Sequence, residues 1–343
     1  MESKRRNVLL IVDGGTTNLR VSLLESVSFK ILDSRKAEGG VKYTAEDGHN
    51  GRLKSLLHSA IGDLLEKHSL VEADVTHCIA YGMITSGLGL IEIPHRIAPV
   101  SEAELRAGMV TRIFSEIASF PIEFIPGVRN FAGAVDESNC GGMDMMRGEE
   151  TEAEGLYRLL ELRGRPAVFV LPGSHNKFVR MGAGGEILSC LTSISGELLD
   201  AITHHTILTD AVKGGFCTEE TCDPAMVRAG ARECAAMGLG RAAFAGRILS
   251  TLGNAEPAKV QSWLLGAALA EDAKALRIFA DGDSWPVFVA GKPPLQCAFL
   301  DVLEELSVAG AAGVEPALSV RMGITGALAV SGLLESRDSA QIP

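Results

Sequence analysis

Asp13-Gly14-Gly15-Thr16-Thr17-Asn18 sets a carboxylate, two glycines, two hydroxyls and an amide in six consecutive positions. Backbone N–H groups and hydroxyls on such a turn can be aimed at phosphate oxygens, and Asp13 can hold Mg²⁺, usually through water. The plainer reading of the same residues is a glycine-rich hairpin turn. A turn of similar make-up, Pro172-Gly173-Ser174-His175-Asn176-Lys177, follows about 160 residues later. Two such hairpins facing across a cleft would clamp a polyphosphate from both sides, with Lys177 as a point charge; otherwise Lys177 is a solvated residue at a strand end. Met145-Met146-Arg147-Gly148-Glu149-Glu150-Thr151 brings a guanidinium suited to a bidentate grip on a carboxylate next to two acids that could accept the proton of an attacking hydroxyl. The competing reading is a first helical turn whose acids complement the dipole. Ser193-Ile194-Ser195-Gly196-Glu197-Leu198 adds hydroxyls and a carboxylate, for which capping of a helix by Ser195 is an adequate alternative.

These segments need elements to position them. Val8 to Val12 is a continuous apolar run and Leu19 to Leu24 alternates, which predicts strand, tight turn, strand; the alternation Val27, Phe29, Ile31 predicts a third strand. Leu53, Leu56, Leu57, Ile61, Leu64 and Leu65 fall on one helical face between Gly51 and His68, and Thr76 to Ala80 reads as a strand that meets Gly82. The second half opens in the same way: Ala167 to Leu171, Phe178 to Met181 and Glu186 to Leu191 read as three strands around the second turn. An internal duplication is the economical explanation. From Asp223 the chain reads as helical, with Asp223-Pro224 and Glu256-Pro257 as helix starts and a break at Asn254. Val287 to Ala290 reads as a late buried strand, and Phe299 to Leu306 and Gly323 to Leu334 as closing helices.

The 343 residues suit two domains of ordinary size. At 46% hydrophobic, 22% charged and 5% aromatic, the composition is that of a folded chain and excludes disordered, collagen-like and coiled-coil classes. A net charge of −11 argues against a nucleic-acid-binding face. The basic Lys4, Arg5 and Arg6 precede an apolar run too short for a signal peptide, and no stretch has the length of a membrane span, so a cytoplasmic location is expected. Seven cysteines without a Cys-x-x-Cys pair indicate neither a disulfide framework nor a zinc site. Gly291-Lys292 is not a P-loop, since Pro286 and Pro293 occupy places that need glycine and a hydroxyl; Gly87-x-Gly89 is not completed as a dinucleotide fingerprint. His204-His205 cannot easily ligate one ion, because neighbouring helical residues point about 100° apart.

Taken together, Val12-Asp13-Gly14-Gly15-Thr16-Thr17-Asn18-Leu19-Arg20, Tyr81 to Gly87, Met146-Arg147-Gly148-Glu149-Glu150-Thr151, Leu171 to Val179 and Ser195-Gly196-Glu197-Leu198 resemble the 2-dehydro-3-deoxygalactonokinase family of the actin/hexokinase/Hsp70-like superfamily. The resemblance implies an α/β protein of two ribonuclease-H-like (actin-like ATPase) lobes with a central cleft. Residues 1–125 would form the N-terminal lobe with sugar and phosphate contacts, and 126–343 a C-terminal nucleotide-binding lobe with a helical insertion. It implies ATP and Mg²⁺ as cofactors, and phosphorylation of the 6-hydroxyl of 2-dehydro-3-deoxy-D-galactonate in galactonate catabolism. Asp13 would position the metal. Gly14, Gly15, Thr16, Thr17, Asn18, Gly173, Ser174, His175, Lys177 and Gly291 would bind the nucleotide. Gly82, Met83, Ser86, Arg147, Ser195 and Glu197 would shape the sugar-acid site. The base is expected at Glu149, with Glu150 and Asp13 as the other acids in place. Partners would be the sugar acid and ATP, with no nucleic acid and no membrane; a homodimer is left open. The chain departs from the family at Ala290-Gly291-Lys292-Pro293-Pro294 and Arg321-Met322-Gly323-Ile324-Thr325, both in the part expected to hold adenosine. A non-catalytic sensor of nucleotide or sugar acid is the competing class, and an actin-like filament subunit a third.

Overall fold

The computed structural model describes residues 7–281, 285–308 and 310–335. Lys4, Arg5 and Arg6 lie outside the described residues. Among the described residues the chain divides into two compact units: the first draws on 7–161, 185–188 and 321–335, the second on 162–184, 189–281, 285–308 and 310–320.

The first unit is built on β1 (Val8–Gly14), β2 (Asn18–Glu25), β3 (Ile31–Glu38), β4 (Val75–Gly82), β5 (Arg96–Ile97), β6 (Val110–Arg112), β7 (Ile122–Phe124), β8 (Val128–Arg129) and β9 (Met145–Met146). Its main sheet runs β3-β2-β1-β4-β7-β6. β1 pairs antiparallel with β2 and parallel with β4, which takes β7 in parallel. β5, β8 and β9 make a small second sheet. Helices are α1 (Lys42–Asp47), α2 (Gly51–Lys67), α3 (Glu102–Ala107) and α4 (Glu149–Leu159). The apolar stripe of α2 meets the buried Val8, Leu10 and Val12 of β1 in the main core. Such a stripe removes several large side chains from water at about 1.5–3 kcal/mol each.

In the second unit β10 (Ala167–Leu171), β11 (Asn176–Met181), β12 (Ile187–Ser193), β13 (Val287–Val289) and β14 (Ala311–Gly313) form a sheet in the order β12-β11-β10-β13-β14. β10 pairs antiparallel with β11 and parallel with β13. Hairpin strands on one side of the first strand and two parallel strands on the other is the ordering of the first unit too, where β6 adds an antiparallel edge beyond β7, as a duplication with an added strand predicts. Between β12 and β13 lie α5 (Ser195–His205), α6 (Thr209–Val212), α7 (Pro224–Met237), α8 (Leu239–Thr251) and α9 (Pro257–Phe279), and α10 (Leu295–Glu305) follows; α11 (Pro316–Val330) belongs to the first unit from residue 321 on. α7 and α9 pack through glycines: a Cβ on Gly230 would lie 2.0 Å from the Trp263 carbonyl oxygen, and one on Gly266 1.9 Å from that of Val227.

Two sequence expectations change. Val27 to Lys30 is a turn rather than a strand, with Phe29 at φ 55 and the Phe29 N–H donating to the Glu25 oxygen; the third strand starts at Ile31 and runs through mostly exposed polar residues. An edge strand in water has no apolar face to betray its period. The helical region breaks at Gly238 as well as Asn254, giving three helices where two were expected.

Candidate active site

In the first unit, three chain crossings meet at glycines. Gly14 ends β1, Gly82 ends β4 and Gly148 precedes α4. A Cβ on Gly14 would lie 2.5 Å from Ile84 Cβ, one on Gly82 2.9 Å from the Gly14 oxygen, and one on Gly148 3.3 Å from Gly82 Cα. Gly82 and Gly148 also hold φ of 89 and 116, conformations that side-chain-bearing residues rarely adopt. The close approach brings the Asp13 turn, the 82–87 segment and the start of α4 together. The turn is braced from outside: Val41 N–H donates to the Gly15 oxygen, Lys42 N–H to that of Thr16 and Gly39 N–H to that of Thr17. Thr16 and Thr17 remain exposed.

Acids gather here. Burial raises the Asp13 carboxyl; Arg20 acts against this and Glu149 adds to it. Among the described residues the Asp13 carboxylate makes no hydrogen bond or ion pair. Glu150 is fully buried and turned back on its own turn: the Gly148 N–H donates to both carboxylate oxygens at 2.9 and 2.8 Å. Burial, then the charge of Glu149, pushes it up to about 8. Glu149 is half-buried and accepts from the Arg147 N–H at 3.1 Å. The two candidate bases therefore separate: Glu149 keeps a reachable carboxylate, and Glu150 is buried with its carboxyl held above the usual range.

Arg147 NH1 donates to the Thr85 oxygen at 2.7 Å and to Thr85 Oγ1 at 3.0 Å, and NH2 donates to the Ile93 oxygen at 2.7 Å. A bidentate grip on a substrate carboxylate would have to displace these bonds. As placed, the guanidinium pins the 83–95 segment, where Thr85 Oγ1 also donates to the Gly82 oxygen and Ser86 Oγ to that of Met83.

The second unit holds a cavity of about 490 Å³, lined by Gly173, Ser174, Ser195, Gly196 and Glu197 at its polar end and by Phe216, Leu265, Leu269, Pro294 and Leu295 among its apolar walls. The size is typical of a small-ligand site. Ser195 and Glu197, expected with the sugar, sit instead beside Gly173, Ser174 and His175. Glu197 N–H donates to the Ser174 oxygen at 3.2 Å, and His175 Nε2 lies 2.7 Å from Glu197 Oε1. A Cβ on Gly196 would come within 2.5 Å of the Gly173 oxygen, so the first turn of α5 rests directly on the phosphate-turn candidate. Gly291, at φ 108, packs against Pro172. Lys177 is buried, and its Nζ donates to Thr192 Oγ1.

Of the two departures from the family pattern, Lys292-Pro293-Pro294 does touch this cavity, through Pro294. Arg321 to Thr325 does not line it. That segment belongs to the first unit, where Gly323 lies under the Tyr81 hydroxyl and the Met322 oxygen lies over Gly155 of α4. Among the described residues no group of three or more His, Cys, Asp or Glu could hold a metal.

Sequence reasoning missed Phe216, Gln261 and the α9 residues of the cavity, and above all Asp272. Leu265, Leu269, Asp272 and Leu276 follow one buried helical stripe, and Asp272 is 1% exposed. A carboxylate on an apolar stripe is the signal that could have found it.

A family model described as 2-keto-3-deoxy-galactonokinase matches residues 13–325, most of the chain. The chain belongs to this family. The match takes in both turns, the start of α4 and the cavity-lining segments. A curated Rhizobium meliloti (strain 1021) protein, "Probable 2-dehydro-3-deoxygalactonokinase DgoK1", is 28% identical over 207 residues, 59% of this chain and 58% of that protein. The matched stretch thus spans little more than half of that relative. A solved structure from Sinorhizobium meliloti, which carries the 2-dehydro-3-deoxygalactonokinase name provisionally, aligns with TM-score 0.74 at 23% identity, covering 93% of this chain and 98% of that one. That likeness shows the mixed α/β fold. The family is one of sugar-acid kinases, phosphotransferases that use ATP, and membership does not favour the sensor reading. No helix among the described residues is long and apolar enough to cross a membrane.

Proposed function

We propose that this chain transfers the γ-phosphoryl group of ATP to the 6-hydroxyl of 2-dehydro-3-deoxy-D-galactonate, yielding the 6-phosphate and ADP in galactonate breakdown. The observation that carries the reading is the pairing of an unpartnered Asp13 with a reachable Glu149 at one crossing of glycines. Its chemistry suits an alcohol attacking phosphorus. The hydroxyl oxygen forms the new O–P bond, the bond from the γ-phosphorus to the β–γ bridging oxygen breaks, and the hydroxyl proton passes to Glu149.

Asp13 fits Mg²⁺. A desolvated carboxylate beside a second acid, without a hydrogen-bond partner, is stabilised by a cation, and magnesium takes one or two carboxylates together with substrate phosphates rather than a protein cage. Bound there, the ion would neutralise charge on the phosphates. Gly14 to Asn18 and Gly173 to His175 present backbone N–H groups and hydroxyls for phosphate oxygens; Ser174 Oγ makes no hydrogen bond among the described residues. The apolar cavity of the second unit suits adenosine, with Gly291 beside its turn. Gly82, Met83 and Ser86, pinned by Arg147, shape the sugar-acid site. The same proposal gives sugar and phosphate to the first unit, which holds Arg147 and Glu149, and the nucleotide to the second. It includes a cytoplasmic location, in keeping with seven cysteines that form no disulfide.

The test is ADP release over a panel of 2-keto-3-deoxy acids. The expected result is turnover that requires the sugar acid and a divalent cation; ATP hydrolysis indifferent to the sugar would refute the proposal.

A further inference from the structure

Asp272 lies in the middle of α9, one step beyond the cavity residues Leu265, Ala268 and Leu269. It is buried, and two of its donors, Asn176 and Ser195, line the polar end of the cavity. Asn176 Nδ2 donates to Oδ2 at 2.6 Å and Ser195 Oγ to Oδ1 at 2.6 Å, and Ser193 also bonds it. Ser193 Oγ lies 2.6 Å from Ser195 Oγ and accepts the Ser195 N–H at 3.2 Å. Such short distances are those of charge-assisted bonds. Burial raises the carboxyl's pKa, and the three donors pull against that.

The relay goes one step further. Asn176, itself 1% exposed, accepts the Gly173 N–H on Oδ1 at 2.8 Å while giving Nδ2 to Asp272. Both ends of the amide are in use, so its orientation is decided by the carboxylate. A flipped amide would set its NH₂ against the Gly173 N–H and its oxygen against Asp272. Through Asn176 the carboxylate fixes Gly173; through Ser195 it fixes the start of α5, whose Gly196 touches the Gly173 oxygen.

We propose that Asp272 is the positioning residue of the nucleotide site, one buried carboxylate that holds the Pro172–Lys177 turn and the first turn of α5 in register for the phosphates. The inference rests on the reading that this cavity takes ATP. It assigns Asn176, Ser193 and Ser195 as ties rather than ligand contacts, and leaves Ser174 and the turn's backbone to meet the nucleotide.

The test is a swap. In Asn176→Asp with Asp272→Asn every donor still finds an acceptor: the Gly173 N–H meets the carboxylate now at position 176, the amide now at position 272 donates to that same carboxylate, and the amide oxygen accepts from Ser195. Each single change leaves a mismatch. ATP binding in the presence of Mg²⁺ is read by calorimetry, KM for ATP and for the sugar acid by ADP release, and folding by circular dichroism. Asp272→Asn is expected to weaken ATP binding about tenfold or more with the sugar-acid KM within about twofold. Asn176→Asp, with two carboxylates face to face, should be worse, and the double variant should return to within about threefold of wild type. Unchanged ATP affinity in a folded Asp272→Asn, or a folded double variant no better than the singles, would overturn the inference. Ser195→Ala decides if those variants do not fold. It removes one donor and should weaken ATP binding severalfold; no change would equally overturn the proposal. A wild-type chain that binds no ATP would sink the nucleotide reading itself, whereas ATP binding indifferent to all these changes would sink only the role of Asp272.

Discussion

The two glycine-bearing turns are supported in opposite ways. In the first unit Asp13 to Asn18 stands among acids, and its carboxylate has no hydrogen-bond partner among the described residues. In the second unit Pro172 to Lys177 is backed by Asp272, whose oxygens accept from three side chains, and by an apolar cavity. An unsatisfied carboxylate asks for a cation from outside; a satisfied one only holds its neighbours still. The first arrangement suits chemistry, the second suits binding. That difference is open to test at single residues.

The largest effect is expected at the unsatisfied carboxylate. Asp13→Asn should lower kcat/KM by about 10³-fold or more, as loss of a positioned ion does, with the Tm little changed; steady-state ADP release and a thermal melt check both. Glu149→Gln should lower kcat by about 10²–10⁴-fold, the usual cost of removing a general base, while ATP affinity by calorimetry stays near wild type. Gly196→Ala should act on the other side of the comparison. Its methyl would press on the Gly173 oxygen, so KM for ATP should rise about tenfold with kcat less affected. If Gly196→Ala struck kcat and spared KM, the division between a reacting and a binding turn would fail.

The smallest effect on rate is expected at Glu150, with less than about a tenfold loss in Glu150→Gln, because the group is buried against Gly148. Its signature is in stability. A carboxyl raised to about 8 in the fold, against the ordinary value near 4.3, binds a proton that the unfolded chain has already lost between those limits. Its contribution to stability is therefore fully present below about pH 4 and is lost as pH rises through about 8. Glu150→Gln should remove that decline, and denaturant unfolding at about pH 5 and about pH 9 should show the two proteins diverging by on the order of a few kcal/mol.

Much of this was legible in the sequence, for physical reasons. Val8 to Val12 and Ala167 to Leu171 are continuous apolar runs ending in polar turns, which few structures other than buried strands satisfy. The turns themselves stood out because carboxylate, glycine and hydroxyl groups crowd together in them. β3 was hidden because its residues face water, and the break at Gly238 because one glycine in a helical pattern carries little information. The role of Asp272 was hidden for a different reason. Its partners lie 96 and 77 residues away in the chain, so the apolar stripe of α9 marks it as buried without showing what it ties together. For Arg147 the residue type suggested a ligand grip, whereas its bonds to Thr85 and Ile93 depend on a fold that spacing does not display.

The central claim is tested most directly by mass spectrometry of the product formed from ATP, Mg²⁺ and 2-dehydro-3-deoxy-D-galactonate, with wild type and Asp13→Asn side by side. The account predicts a stoichiometric sugar-acid 6-phosphate and ADP with wild type and almost none with the variant. Inorganic phosphate in place of the phosphorylated acid, or equal product from both proteins, would contradict it.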